Sequence, residues 1–355
     1  MINRVKRVRR KRIEMKLLFV FQPGSRLSSF KPKEKTHGNR RPVFVHYNQK
    51  LPETGRVVRL YPSEAMHFKE SAFTQALELI SNSEYHPENH LALFNQLNPN
   101  ILLSFYGLAD PKKLMLIGRR ALKQLRDASI YCETLSGNKE KTRLLHFGLF
   151  GLIRSASEEL CPPTEKIKPR QMLELVNSLV YGKHKKRLEA LLENPRHGGY
   201  ADAYSDYIRS CMQKLEKAKR SDHEVTLVHG GRVRVTAFEG DAYAHPLAGY
   251  GLASDSDIVI RKSTRRNAYW EIGVQPSLTD SISITPSFYK GLAEMERKNW
   301  RKSGSDLAKL EADLPGGRVN TGGTSRREDT QLTKQQILEL IKRHVTLDKE
   351  KGSEK

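Results

Sequence analysis

The sequence predicts a mixed α/β and α+β architecture. An N-terminal α/β layer leads into a helical block, and a smaller C-terminal α+β domain with antiparallel hairpins follows. Three observations carry this prediction. Near the N-terminus, short β-branched or aromatic runs are separated by Pro, Gly, Ser and Asn. From residue 110 to residue 220 the apolar positions keep helical spacing. After Arg220 alternating strands flank Gly230-Gly231, a dipeptide suited to a tight hairpin. At 355 residues the chain exceeds the roughly 250–300 at which one core stops growing, so more than one domain is expected.

The elements follow in order. Residues 1–16 form a basic tail with eight Lys or Arg against Glu14 alone. Such a run stays extended until it meets phosphate, although residues 1–14 equally suit an upstream extension without function. Residues 17–21, 43–46 and 56–60 are expected as strands, and Gln22 to Pro42 as a basic loop. Ser71 to Ser81 has helical spacing, Ile101 to Tyr106 suits a further strand, and His86-Pro-Glu-Asn-His90 suits a turn or helix start. Asp110-Pro111 opens a helix to about Asp127, because Asp caps free N–H groups and Pro fits the first helical position.

Helices at 144–160, 169–181, 184–193 and 201–220 complete a first domain over 17–220. The second domain spans 221–345. It has strands at 224–229, 232–238, 257–262, 268–274 and 281–285 and helices at 288–300 and 334–345, the last opened by the capping box Thr333-x-x-Gln336. Residues 346–355 are expected to fray.

Charge narrows the partners. The chain carries 62 Lys plus Arg and 40 Asp plus Glu, a formal net charge of +22, which attracts polyanions. RNA, single-stranded DNA or an oligonucleotide is therefore the expected partner. Nothing approaches the ~18 apolar residues of a membrane span, and the apolar run 17–21 is short for a secretion signal. A cytoplasmic location is expected. Cys132, Cys161 and Cys211 include no Cys-x-x-Cys pair, which argues against a disulfide framework or thiolate zinc site. With no Gly-x-Ser-x-Gly elbow, acyl-transfer chemistry is disfavoured.

Three segments are candidate sites. On the helix from 110, Lys112, Lys113, Arg119, Arg120, Lys123 and Arg126 fall within a sector of roughly 140°, opposite the apolar face, where phosphate could bind. In Pro315-Gly-Gly-Arg-Val-Asn-Thr-Gly-Gly-Thr-Ser-Arg-Arg327, the glycines let backbone N–H groups approach an anion while Arg318, Arg326 and Arg327 supply charged forks. The same composition suits a linker. Asp222, Asp241, His245 and Asp257 group hard oxygen and imidazole donors near strand ends. Such a set suits Mn²⁺ or Mg²⁺, with Zn²⁺ or Fe²⁺ as further options, and would activate water for phosphodiester hydrolysis. Tyr269 and Trp270 alternate faces, so one ring is expected outward, flanked by Arg261, Lys262, Arg265 and Arg266, where it could stack a base, while the other packs in the core.

Residues from about 221 to 345 resemble the accessory, substrate-binding domain of the DHH phosphoesterase superfamily. The resemblance is carried by Gly251-Leu-Ala-Ser-Asp-Ser-Asp-Ile-Val-Ile-Arg261, Trp270-Glu-Ile-Gly-Val274, a helix with Glu294 and Glu296, the Gly316-Gly317 and Gly322-Gly323 loop, and a final helix. It implies a phosphate-binding role for Gly322, Gly323, Ser325 and Arg326. The chain departs from the family in having no Asp-His-His triplet, and its first Asp is Asp110, so residues 1–109 supply no aspartate ligand. The expectation is a basic protein that binds nucleic acid or phosphate-rich nucleotide ligands. A metal-dependent phosphodiesterase or nuclease and a structural nucleic-acid-associated protein are the alternatives.

Overall fold

The computed structural model describes residues 16–21, 40–45, 58–60, 71–81, 85–134, 140–162, 167–240, 246–263, 268–279, 281–311, 315–317, 321–324 and 329–347. They divide into two compact units. The first holds described residues from 16 to 129 and from 152 to 193; the second holds those from 130 to 151 and from 194 to 347.

The first unit is built on a four-stranded parallel sheet of β1 (Leu18–Phe21), β2 (Arg41–Val45), β3 (Val58–Leu60) and β4 (His90–Phe94), in the order β1-β4-β2-β3. Strand β4 is central and buried along its whole length, with Leu91 opposite Leu18 on one side and Ala92 opposite Val43 on the other. Helices α1 (Ala72–Ser81) and α2 (Pro99–Ala109) belong to this unit. Phe105 of α2 packs at 4.8 Å from Phe19 and 4.9 Å from Phe94, joining the helix to two adjacent strands.

Two expectations are corrected here. Ile101 to Tyr106 is helix, not strand: Asn98 accepts a hydrogen bond from the Ile101 N–H at 3.0 Å and Pro99 occupies the first turn, a helix start that the apolar run conceals. The fourth strand is instead His90–Phe94, entered from a short 3-10 turn at Pro87–Asn89. The helix expected from 110 to 127 is also two helices, α3 (Pro111–Leu116) and α4 (Arg119–Thr134). Asp110 does cap α3 through the Lys113 N–H at 3.2 Å, but Ile117 turns extended (ψ 126°) before Gly118, and the helical rotation restarts at Arg119. The chain changes unit within α4 and again within α5 (Glu140–Glu158), then completes the first unit with α6 (Pro169–Val180) and α7 (Lys185–Glu193).

The second unit has a six-stranded mixed sheet in the order β10-β11-β8-β7-β6-β5. Helix α8 (Tyr200–Leu215) ends before β5 (Lys219–Thr226), so Lys219 and Arg220, expected to be helical, pair instead with Glu239 and Phe238 of β6 (Arg232–Gly240). Gly230 and Gly231 take φ of 95° and 85° in the connection, conformations that a side chain disfavours. Helix α9 (Pro246–Leu252) carries the chain to β7 (Ile258–Ser263), which runs parallel to β6, a crossover within a domain otherwise built of antiparallel pairs. Strand β8 (Tyr269–Val274) pairs antiparallel with β7, and the short strands β10 (Gly316–Gly317) and β11 (Thr321–Gly323) add to β8.

Helices cover both faces of this sheet. On one, Ile258, Ile260, Trp270 and Ile272 pack with Phe288 and Leu292 of α10 (Pro286–Ser303) and with Ile337 and Ile341 of α12 (Lys334–His344), which follows the short α11 (Leu307–Glu311). On the other, Phe238 and Val259 pack with Cys211 and Leu215 of α8 and Ala248 of α9. The Thr333–Gln336 capping box opens α12, the Gln336 side chain accepting from the Thr333 N–H at 2.9 Å. Residues 346 and 347, expected to fray, continue β12 (Val345–Leu347), which pairs with β9 (Ile282–Ile284). No described helix is long and apolar enough to cross a membrane.

Candidate nucleic-acid interface

On α4, Arg126, Arg119 and Lys123 fall within roughly 60° of one another at 100° per residue, with Arg120 beside them. All four are exposed, as are Lys112 and Lys113 on α3. Their surroundings decide whether they are available. Lys113 is held by Glu189 at 2.7 Å and Lys123 lies 3.9 Å from Asp127. Lys112, Arg119, Arg120 and Arg126 form no ion pair among the described residues. The sector therefore keeps a dense core of cations although the helix beneath it is broken.

The second unit holds a small pocket of about 60 Å³ at the junction of β7, β8 and β11, lined by Tyr250, Arg261, Glu271, Gly273, Thr321 and Gly322. It has room for a few waters or one polar group of a ligand. Arg261 and Glu271 face each other across β7 and β8 and form an ion pair; Arg261 is only 9% exposed. Tyr250 reaches in from α9. A Cβ on Gly273 would lie 1.9 Å from the Tyr250 hydroxyl, so glycine is what admits the ring. Burial pushes the Tyr250 phenol up to about 12, and it forms a hydrogen bond with Thr321. At neutral pH the phenol stays protonated. The pocket thus combines a guanidinium, a carboxylate, a neutral phenol and an exposed Thr321.

Of the glycine-arginine loop, Gly322 lines this pocket, whereas Gly323 has a packing role. A Cβ there would come within 2.2 Å of the Trp270 carbonyl oxygen, so β11 can approach β8 only with glycine at this position. Thr324 clamps the same residue: its Oγ1 accepts from the Trp270 N–H at 2.9 Å and its own N–H donates to the Trp270 carbonyl at 3.0 Å. Gly323→Ala is expected to destabilise the second unit by ~1–3 kcal/mol, because the clash is with backbone. The loss would appear as a lower Tm in the absence of any ligand. Arg318, Ser325, Arg326 and Arg327 lie outside the described residues.

Asp222 and Asp257 are described; Asp241 and His245 lie outside the described residues. Asp222 accepts from Thr236 Oγ1 at 2.6 Å and Arg220 Nε at 3.1 Å, and these bonds, the threonine's foremost, hold its carboxyl below the usual range. Arg220 also reaches Asp255 at 3.5 Å, so a guanidinium already bridges the two carboxylates. Asp257 Oδ2 accepts from the Arg234 N–H at 2.7 Å, while its own N–H and carbonyl bond to Arg234 and Gln275. It closes the strand ends. Among the described residues no three His, Cys, Asp or Glu gather as metal ligands. Asp222 and Asp257 are instead engaged by Thr236, Arg220 and the Arg234 backbone.

Of the two aromatics on β8, Trp270 is fully buried, with its indole N–H donating to the Leu332 carbonyl at 2.9 Å, and Tyr269 is half-buried. Arg261, expected beside a surface ring, instead lines the pocket. The convergence of Tyr250, Arg261 and Glu271 on one pocket is not apparent from the sequence alone. Their signal was an Arg and a Glu set ten residues apart in two apolar runs predicted to form a hairpin.

No protein-family model matches the chain, and no curated protein does. Among solved structures it is similar, at 11% identity and a TM-score of 0.27, to a chain described as a DHH domain of a member of the s1p family of ribosomal proteins. The match covers 86% of each chain.

Proposed function

We propose that this protein binds nucleic acid or phosphate-rich nucleotide ligands. In this reading Lys112, Arg119, Arg120, Lys123 and Arg126 receive the phosphate backbone. The pocket around Gly322 takes one polar group of a nucleotide. The observation that carries the reading is that Lys112, Arg119, Arg120 and Arg126 are exposed and form no ion pair with the acids described around them. A solvated face usually mixes signs to reduce repulsion, so an uncompensated cluster favours a polyanion. In the pocket Glu271 offsets the charge of Arg261. That pairing suits a sugar hydroxyl or a singly charged phosphodiester better than a free phosphate.

The test is salt-dependent binding of a labelled 20-nucleotide single-stranded RNA. Replacing Arg119, Arg120, Lys123 and Arg126 together by Gln is expected to reduce the slope of log K against log salt by about 3, at roughly 0.7 for each single-strand phosphate that is no longer neutralised. Lys113→Gln is the control: Glu189 already holds that lysine, and its removal should leave the slope nearly unchanged. An unchanged slope in the fourfold variant would overturn the reading.

A further inference from the structure

Helix α3 buries Leu114 fully but leaves Met115 58% and Leu116 86% exposed. Leu116 is the most exposed large apolar side chain among the described residues. These two end α3, preceded in the chain by Lys112 and Lys113 and followed by Arg119 and Arg120. Gly118, between Leu116 and Arg119, is exposed too. Core packing does not account for the pair, since Leu114 alone packs inward from α3.

We infer that Met115 and Leu116 form an apolar wedge that packs on the bases of a bound single strand, opening one stacked step, while the adjacent cations hold its phosphates. This rests on the proposed nucleic-acid reading and extends it from backbone to base contact. Charge complementarity points to the occupant: Lys113 is held by Glu189, but Lys112, Arg119 and Arg120, which also flank the wedge in the chain, form no ion pair among the described residues, so the partner presents anions and apolar surface together. Single Leu or Met side chains are sufficient to part a base step. An anionic bilayer also presents phosphate beside apolar matter. Surface helices that enter bilayers, however, carry a long apolar face with aromatic anchors, whereas α3 has six residues and no aromatic.

The test uses the full chain and a single-stranded adenine oligonucleotide with one central 2-aminopurine, whose fluorescence rises when it unstacks. The wild type is expected to raise that fluorescence. Leu116→Ser should abolish the rise and weaken binding about tenfold, with the salt slope unchanged. Met115→Ser should act in the same direction to a smaller degree. Because both side chains are exposed, the variants retain the wild-type Tm. If Leu116→Ser keeps the full fluorescence rise while the fourfold Gln variant loses its slope, the wedge is overturned and backbone binding stands. If the Gln variant keeps its slope, the underlying reading fails. Capture by phosphatidylserine vesicles that depends on Leu116, with no 2-aminopurine response, would assign the tip to a membrane and also overturn the wedge.

Discussion

Trp270→Ala should cost the second unit ~3–5 kcal/mol, the range for deleting a fully buried large aromatic. Trp270 has no exposed surface and sits between Ile260 and Ile272 of the sheet and the helices α10 and α12. The substitution leaves a cavity and removes the donor that the Leu332 carbonyl uses at the entrance to α12. Trp270→Phe keeps most of the volume and should cost less, ~1–3 kcal/mol, from the lost hydrogen bond and a smaller cavity. Urea denaturation followed by far-ultraviolet dichroism measures both. A loss below ~1 kcal/mol for the alanine variant would mean that the sheet and its covering helices are not held together at this residue.

Glu296→Leu is expected to follow at ~2–4 kcal/mol. Glu296 is fully buried on α10, and its two carboxyl oxygens accept from Thr330 Oγ1 and, at 3.1 Å, from the Gln331 N–H. Thr330 Oγ1 in turn accepts from the Leu332 N–H at 3.1 Å, so the carboxyl anchors the segment that leads into α12. Leucine would leave those donors buried without acceptors. Burial pushes the Glu296 carboxyl above its usual value of 4.5, against the weaker opposing effect of the two hydrogen bonds.

The sign of the pH dependence follows. Because the folded pKa is the higher one, the native state holds the proton more tightly than the unfolded chain. That contribution to stability is complete below about 4.5 and is lost as the pH rises through the folded pKa. Glu296→Gln stays neutral and can still accept from Gln331 while its amide donates to Thr330, so it should flatten this decline. Urea midpoints from pH 4 to 8 for both proteins test it; parallel profiles would show that Glu296 does not titrate with folding.

Local chemistry was legible in the sequence wherever it depends on neighbours in the chain. The turn at Gly230-Gly231, the cap at Asp110 and the Thr333–Gln336 box each rest on side chains within a few residues of the backbone groups they serve. Fully buried runs were harder. Neither His90–Phe94 nor Ile101–Tyr106 has an exposed face, so hydrophobic period does not separate strand from helix, and the Asn98-Pro99 start was the deciding cue. At Ile117 the apolar period continues through a break that only Gly118 marks.

The candidate sites divide in the same way. The cations expected on one helix from 110 lie on two, α3 and the sixteen-residue α4, and all six are exposed. The Tyr250, Arg261 and Glu271 pocket depends instead on strand register and on a helix arriving from the β6–β7 crossover. The spacing of Arg261 and Glu271 along the chain hints at their pairing, but it does not fix the register or bring Tyr250 to them.

The margins of the six-stranded sheet bear on how the protein behaves at high concentration. One margin, β5, displays Lys219, Arg220, Asp222 and Glu224 to solvent, and the other, β10, is only two residues long. A charged rim and a truncated one both discourage strand-to-strand polymerisation. The abundant backbone pairing inside this sheet is thus kept from seeding fibrils between molecules.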